Sequence, residues 1–134
     1  MNKAWGDNRA GQLGTGDTDR RLAPVVIDPP GLGGVRTNQL FAGGTHTCAL
    51  RDDNTLWCWG GNRFGQLGTG DTQPRLTPQK VMEGVTAAYA GGAHTCALGT
   101  DGSVKCWGNN QYRQLGAFSG PQSLTPVTVL RACQ

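Results

Sequence analysis

The chain repeats itself, and this repeat limits its possible folds more than any other feature of the sequence. The segment Trp5–Thr18 returns at Trp59–Thr72 with 12 of 14 residues identical, and a weaker third copy begins at Trp107. The first two copies begin 54 residues apart and the next two 48 residues apart. A period of about 50 residues is typical of β-propeller blades.

A second motif recurs in step with the first. The segment Ala42–Leu50 returns as Ala90–Leu98, and the triplet Cys-Trp-Gly follows each copy, beginning at Cys58 and Cys106. The six additional residues of the first step fall around Asp28–Gly34, which is rich in proline and glycine. Surface loops of this kind accept insertions at little cost in free energy.

Composition favours short strands over long helices. Glycine supplies 22 and proline 7 of the 134 residues, while the hydrophobic fraction of 37% is sufficient for a core. Each repeat is predicted to hold four strands, the fourth beginning after a proline that recurs as Pro24, Pro78 and Pro126. The predicted strands, first to fourth, are Gln39–Ala42 and Thr86–Ala90, Thr45–Leu50 and Ala93–Leu98, Thr55–Gly60 and Ser103–Gly108, and Val25–Ile27, Gln79–Met82 and Val127–Leu130.

The sequence therefore predicts an all-β fold of four-stranded antiparallel propeller blades. We expect half a blade plus a connecting loop over residues 1–34, a complete blade over 35–83, and a second complete blade over 84–134. An arc of two and a half blades leaves sheet faces and strand edges uncovered. Either the chain is a piece of a longer protein, which we favour, or copies of it assemble.

The turn between the second and third strands sets the register of each hairpin. Asp52-Asp53-Asn54 and Thr100-Asp101-Gly102 fit a three-residue loop whose last residue takes a positive φ. This register places Cys48 opposite Cys58 and Cys96 opposite Cys106. Side-chain alternation then puts His46 on the same face as the first cysteine pair, and Trp57 and Trp59 on the other face.

The repeated segments resemble one known family. Trp59–Gly70 and Gly91–Leu98 are similar to the signature of regulator-of-chromosome-condensation repeats, and the similarity extends over nearly the whole chain. The cysteines in the second and third strands resemble bacterial members described as alpha-tubulin-suppressor-like. The resemblance implies a seven-bladed propeller, of which this chain supplies a part.

The resemblance alone does not define a function. Members of the family act in guanine-nucleotide exchange with chromatin binding, in ultraviolet light sensing and in β-lactamase inhibition, each through its own loops. No motif in this chain matches the residues of any of these activities, and a shared fold does not transfer them.

The five cysteines leave several interpretations open. Facing residues of a non-hydrogen-bonded pair lie close enough for a disulfide in each blade, provided that the compartment is oxidising. Buried free thiols between blades are the alternative, and Cys133 remains without a predicted partner. His46, Cys48 and Cys58 could also supply three zinc ligands, but a structural site needs four. We therefore predict no metal and no cofactor.

The repeated histidines and tryptophans are better explained by architecture than by chemistry. His46 and His94 each follow a Gly-Gly pair in the same repeat position, so we expect a structural hydrogen bond to a loop of a neighbouring blade rather than one active site. Trp5, Trp59 and Trp107 share a position that we expect to be in the core. Trp57 corresponds to Lys105 and is the candidate for a residue that faces a partner.

These features favour a binding module over an enzyme. The net charge of +3 is scattered without a basic stripe, so we expect no nucleic-acid partner, and no run of 18 apolar residues suggests a membrane span. Oxidised cysteine pairs would indicate an extracellular or cell-surface location, whereas the chain as written lacks a signal peptide and would be cytoplasmic. We predict a non-catalytic scaffold that binds a protein. The alternatives are an exchange factor or enzyme inhibitor completed by further blades, and a self-assembling structural module.

Overall fold

A computed structural model describes residues 3–26, 37–111, 115 and 120–130, and the described elements are all strands. The ten strands are β1 Lys3–Gly6, β2 Arg21–Val26, β3 Thr37–Ala42, β4 His46–Arg51, β5 Leu56–Gly60, β6 Arg75–Met82, β7 Val85–Ala90, β8 His94–Gly99, β9 Val104–Asn109 and β10 Gln122–Leu130. The described part of the chain contains no helix of the length and apolarity needed to cross a membrane.

The strands form three antiparallel sheets in chain order. Strands β1 and β2 form a two-stranded sheet, β3 to β6 form a four-stranded sheet, and β7 to β10 form another. The inner strand β7 packs against β3 and β4 of the preceding sheet, so the sheets stack face to face. The predicted all-β architecture of half a blade followed by two complete blades is confirmed.

The predicted hairpin register is also confirmed. Cys48 pairs with Cys58 and Leu50 with Leu56 across β4 and β5, and Cys96 pairs with Cys106 across β8 and β9. The turn residue Asn54 has a φ of 66°, as the positive-φ position of the three-residue loop requires.

The prediction that the fourth strand begins after the proline is wrong. Strands β2, β6 and β10 begin three to four residues before Pro24, Pro78 and Pro126, respectively. Each is the outer strand of its sheet, and the registers of β6 and β10 shift next to the proline. An edge strand with a register shift accepts proline because its missing N–H breaks no regular ladder bond.

The core lies between the second and third blades. Leu50, Leu56 and the pair Cys48 and Cys58 from one sheet meet Val85 and other apolar side chains of the next, and all are buried. The predicted connecting loop around Asp28–Gly34 and Cys133, for which the sequence predicts no partner, lie outside the described residues.

Candidate functional site

The loop between the third and fourth strands of a blade is held in one shape by a buried asparagine. In the second blade, Nδ2 of Asn62 donates to Oγ1 of Thr69 at 3.1 Å and to the carbonyl oxygens of Asp71 and Gln73, both at 2.9 Å. Its Oδ1 accepts the N–H of Leu67 at 3.0 Å. One side chain, 1% exposed, therefore fixes a loop of twelve residues from within.

The other repeats contain the same asparagine. Oδ1 of Asn8 accepts the N–H of Leu13 at 2.9 Å, and Oδ1 of Asn110 accepts the N–H of Leu115 at 3.0 Å. Sequence reasoning treated these asparagines as part of a motif and assigned them no role. Their constant spacing of five residues before a leucine was the available signal.

An ion pair closes the equivalent loop in each of the first two blades. Arg75 lies 2.9 Å from Asp71, and Arg21 lies 2.8 Å from Asp17. The hydrogen bond from the guanidinium lowers the pKa of each aspartate to about 2, and a backbone N–H adds to the effect. The side chains are partly exposed, so these pairs mainly fix the loop geometry.

Each loop then docks on the next blade through a main-chain carbonyl. The carbonyl oxygen of Gln12 accepts from Oγ1 of Thr47 at 2.7 Å and from Nε1 of Trp59 at 3.0 Å. One blade further on, the carbonyl oxygen of Gln66 accepts from Oγ1 of Thr95 at 2.6 Å. A side-chain motif does not indicate which main-chain carbonyl makes such a contact, and sequence reasoning missed both of these carbonyls.

His46 completes the contact between the second and third blades. Its Nε2 lies 2.9 Å from Oγ1 of Thr95, which itself donates to Gln66. The threonine oxygen must therefore accept from His46, and this places the ring proton on Nε2. The partner residue lies on a strand of the neighbouring blade rather than in a loop.

The Gly-Gly pair before the histidine is explained by the same interface. The His46 ring covers Cα of Gly43, leaving no space for a side chain there. The N–H of Gly44 donates to the carbonyl oxygens of Gly91 at 3.2 Å and Gly92 at 3.1 Å in the next blade. The repeated Gly-Gly-x-His-Thr motif therefore stabilises the stacking of neighbouring blades.

Burial makes His46 a poor base at neutral pH. The ring is 1% exposed, and desolvation together with the nearby His94 lowers its pKa to about 4. Its Nδ1 has no hydrogen-bond partner in the described part of the chain. His94 is half-buried, its pKa is lowered by desolvation, and its ring centre lies 6.0 Å from that of Tyr89.

The cysteine pairs lie at disulfide distance. The Sγ atoms of Cys48 and Cys58 are 2.16 Å apart and those of Cys96 and Cys106 are 2.12 Å apart, with 4.1 Å between the Cα atoms of both pairs. Sulfur atoms bonded to each other are not free to bind zinc as thiolates. The described residues contain no group of three or more His, Cys, Asp or Glu side chains suited to a metal.

The tryptophans at the shared repeat position differ in burial. Trp59 and Trp107 are 1% and 0% exposed, but Trp5 is 59% exposed, so the expectation that Trp5 lies in the core is wrong. The first sheet has only two strands, and no described segment covers the face on which Trp5 is exposed.

The neighbouring position differs between the two complete blades. Trp57 is half-buried against Ala49 and Trp59, and its Nε1 donates to Oγ1 of Thr55 at 2.9 Å. Its counterpart Lys105 lines a cavity of about 190 Å³ between blades two and three, together with Met82 and other residues.

Repeated sheets, stacked through the same loop, histidine and threonine contacts, define the class of protein to which this chain belongs: it is part of a β-propeller. The particular family follows from the match to a model described as regulator of chromosome condensation (RCC1) repeat, which includes residues 4–50 and 53–98. The chain belongs to the RCC1 repeat family. A second model with the same description matches residues 38–66 and 85–114.

Solved structures support the same architecture. Yeast RCC1 (Prp20), in a crystal structure bound to Kap60, superposes with a TM-score of 0.85 at 20% identity, covering 95% of this chain and 32% of that one. Human WBSCR16 superposes with a TM-score of 0.81 at 25% identity, covering 94% of this chain and 32% of that one.

Curated relatives are more similar in sequence over shorter stretches. The ultraviolet-B receptor UVR8 of Arabidopsis thaliana is 43% identical over 79 residues, 59% of this chain and 18% of the receptor. Human alsin is 42% identical over 84 residues, 60% of this chain and 5% of alsin. The chain thus spans a third or less of the length of these proteins. These named relatives are eukaryotic, and the bacterial alpha-tubulin-suppressor-like type stays a prediction.

Proposed function

We propose that the chain is a non-catalytic scaffold that binds a protein partner. The observation that carries the proposal is that the groups with catalytic potential are engaged in packing. His46 is hydrogen-bonded to Thr95 within the blade interface, and the described cysteines lie at disulfide distance in pairs within the hairpins. A nucleophile and its base need to face a substrate, and these side chains face the core instead.

The rigid loops provide the binding surface. The loop over residues 61–74 is fixed by Asn62, so its outward side chains are held in place before a partner arrives. Among them, the Arg63 guanidinium lies 5.7 Å from the centre of the Phe64 ring. Arginine and aromatic side chains are enriched at protein interfaces, so we place the main contact at this pair.

The neighbours support a protein as the partner. Two structures of the yeast protein Prp20 are described by its binding, one to Kap60 and one to Gsp1p and histones. Those partners belong to Prp20, and its 20% identity to this chain shows the fold alone. We propose a protein partner of unassigned identity, no nucleic-acid or membrane partner, and the unit boundaries 1–34, 35–83 and 84–134 predicted from the sequence.

Crosslinking followed by mass spectrometry tests the proposal. We expect the tagged chain to capture a specific protein whose crosslinks map to the loop over residues 61–74. The double substitution Arg63→Glu and Phe64→Ser should abolish the capture, while Thr72→Glu, an exposed change in the same loop, should preserve it. Capture that neither variant changes would refute the assignment of the partner contact to this loop.

A second measurement separates the scaffold from an exchange factor and from an enzyme. The chain should neither accelerate release of labelled nucleotide from a small GTPase nor turn over hydrolase substrates. Accelerated release would show that the chain acts as an exchange factor and not as a scaffold. Turnover without a protein partner would show that it acts as an enzyme.

A further inference from the structure

The cavity beside Lys105 is large enough to take a single side chain. Its volume is about 190 Å³, and Met82 and Ala97 supply apolar parts of its wall. Pockets for free small molecules usually measure about 300–1,000 Å³. The turn that precedes β9 lines this cavity, whereas the loop over residues 61–74 follows the end of β5, so the two lie at opposite ends of the stacked sheets.

The cavity lies where two bulky residues of the second blade are replaced by smaller ones in the third. Gly99 and Lys105 line it, and their repeat equivalents in the second blade are Arg51 and Trp57. Arg51 is 5% exposed, so the second blade buries an arginine side chain at this repeat position. Gly99 has no side chain to place there, and the space stays open.

The turn beside the cavity keeps the same aspartate in both blades. Oδ1 of Asp101 accepts the N–H of Ser103 at 2.9 Å and its hydroxyl at 2.7 Å, which lowers the pKa of Asp101 and keeps it charged at neutral pH. Hydrogen bonds from Thr55 lower the pKa of Asp53 in the same way, and the charge of Arg51 lowers it further. An arginine at this repeat position therefore interacts with the aspartate of the turn.

The charged groups of the cavity favour a cationic occupant. Two carboxylates, of Glu83 and Asp101, and one ammonium, of Lys105, line it. Lys80 binds Oε1 of Glu83, while Oε2 of Glu83 and Oδ2 of Asp101 accept no hydrogen bond from the described residues. The long side chain of Lys105 can extend its ammonium into solvent. A guanidinium presents a planar fork of N–H donors that matches such carboxylate oxygens.

We infer that the cavity binds an arginine side chain of a protein partner, with its guanidinium at the carboxylates of Asp101 and Glu83 and its aliphatic stem against Met82. The partner thereby supplies the group that Arg51 supplies in the preceding blade. The inference is independent of binding at Arg63, because the two sites lie at opposite ends of the sheets.

Titration of the ¹⁵N-labelled chain with blocked tripeptides, followed by NMR, tests the inference. The probe is acetyl-Gly-Arg-Gly-amide, and the comparison peptides carry lysine or glutamate in place of arginine. We expect the arginine peptide to bind with millimolar affinity, as a single side chain allows, and to shift the amide signals of Gly84, Gly99 and Thr100. The lysine peptide should bind at least about threefold more weakly, because an ammonium lacks the planar fork. The glutamate peptide should not bind.

Gly99→Arg places the arginine of the preceding blade in the cavity and should abolish binding of the arginine peptide. The backbone accepts the change, since Gly99 has no φ in the left-handed region. The nearest atom to an added Cβ is Oδ1 of Asp101 at 2.7 Å, which belongs to an exposed side chain that can move. Circular dichroism verifies that the variant is folded.

Two charge variants test the same site without filling it. Asp101→Asn keeps an oxygen for the Ser103 bonds but removes the charge, and it should weaken binding by at least about threefold. Lys105→Gln should strengthen binding, because it removes a repelling charge. Asp53→Asn is the matched control, since the same change in the second blade, where Arg51 occupies the position, should leave the affinity unchanged.

Several results would overturn the inference. The first is an arginine peptide that shifts none of these amide signals up to its solubility limit. The second is binding that Gly99→Arg and Asp101→Asn both leave unchanged. Weaker binding after Lys105→Gln, or binding of the glutamate peptide at the same amides, would show that the ligand is an anion. Equal affinities for the arginine and lysine peptides would overturn the assignment to a guanidinium.

Discussion

Two glycines at the same repeat position should respond in opposite ways to the same substitution. Gly44 lies in the contact between the second and third blades, and an added Cβ would be 2.5 Å from the carbonyl oxygen of Gly92. Gly92, its equivalent one blade later, has no atom within 4 Å of an added Cβ. Neither has a φ in the left-handed region, so alanine fits the backbone at both positions.

The expected size of the effect follows from these contacts. Gly44→Ala pushes two backbones apart, and overpacking of this kind costs about 1–3 kcal/mol. It also weakens the N–H bonds to Gly91 and Gly92, worth about 1 kcal/mol. We expect the free energy of unfolding to fall by about 2–4 kcal/mol in total. Gly92→Ala should leave it unchanged or raise it by up to about 1 kcal/mol, because alanine restricts the unfolded chain.

Urea unfolding followed by tryptophan fluorescence measures the difference, with equal m values showing that both variants unfold from comparably folded states. The measurement is made on monomeric protein, so that no second molecule covers Gly92. Equal losses for the two variants, or a neutral Gly44→Ala, would refute the assignment of Gly44 to the blade contact.

Three further predictions address the disulfides, the buried histidine and the loop asparagine. Alkylation without reductant should label one of the five cysteines, and removing the pair Cys48 and Cys58 should cost about 2–3 kcal/mol of stability. Stability should fall as the pH drops from about 6.5 toward 4, because His46 takes up a proton in the unfolded state and not in the folded one. The free energy of unfolding should fall by about 1.4 kcal/mol per pH unit, which is about 3 kcal/mol over this range. Asn62→Ala should cost about 2–4 kcal/mol and remove hydrogen-exchange protection from the Leu67 amide, since it leaves several buried groups unpaired.

Each of these three predictions has its own control. Five labelled thiols without reductant would exclude both disulfides. His46→Gln removes this titration but keeps an N–H donor for Thr95, so an unchanged pH profile in the variant would assign the effect to other groups. Asn38→Ala changes an exposed asparagine and should leave the Leu67 amide protected. Equal loss of protection in both asparagine variants would contradict the role of Asn62.

The sequence predicted the parts of the structure that depend on neighbours along the chain. A three-residue turn ending at Asn54 or Gly102 sets the hairpin register, because a strand alternates strictly once its turn is fixed. That register places Cys48 opposite Cys58 and Cys96 opposite Cys106, and the structure confirms both pairs. The spacing of the repeats likewise predicted the number of sheets.

The contacts between blades were decided by tertiary structure. The carbonyl of Gln12 accepts from Thr47 and Trp59, 35 and 47 residues away, and no local pattern indicates which main-chain oxygen will meet a side chain at that distance. Burial depends in the same way on what lies alongside: Trp5 and Trp59 have nearly identical local sequences, yet one is exposed and the other is buried. The sequence determined each hairpin because its energetics are local, and stacking determined which faces of those hairpins are covered.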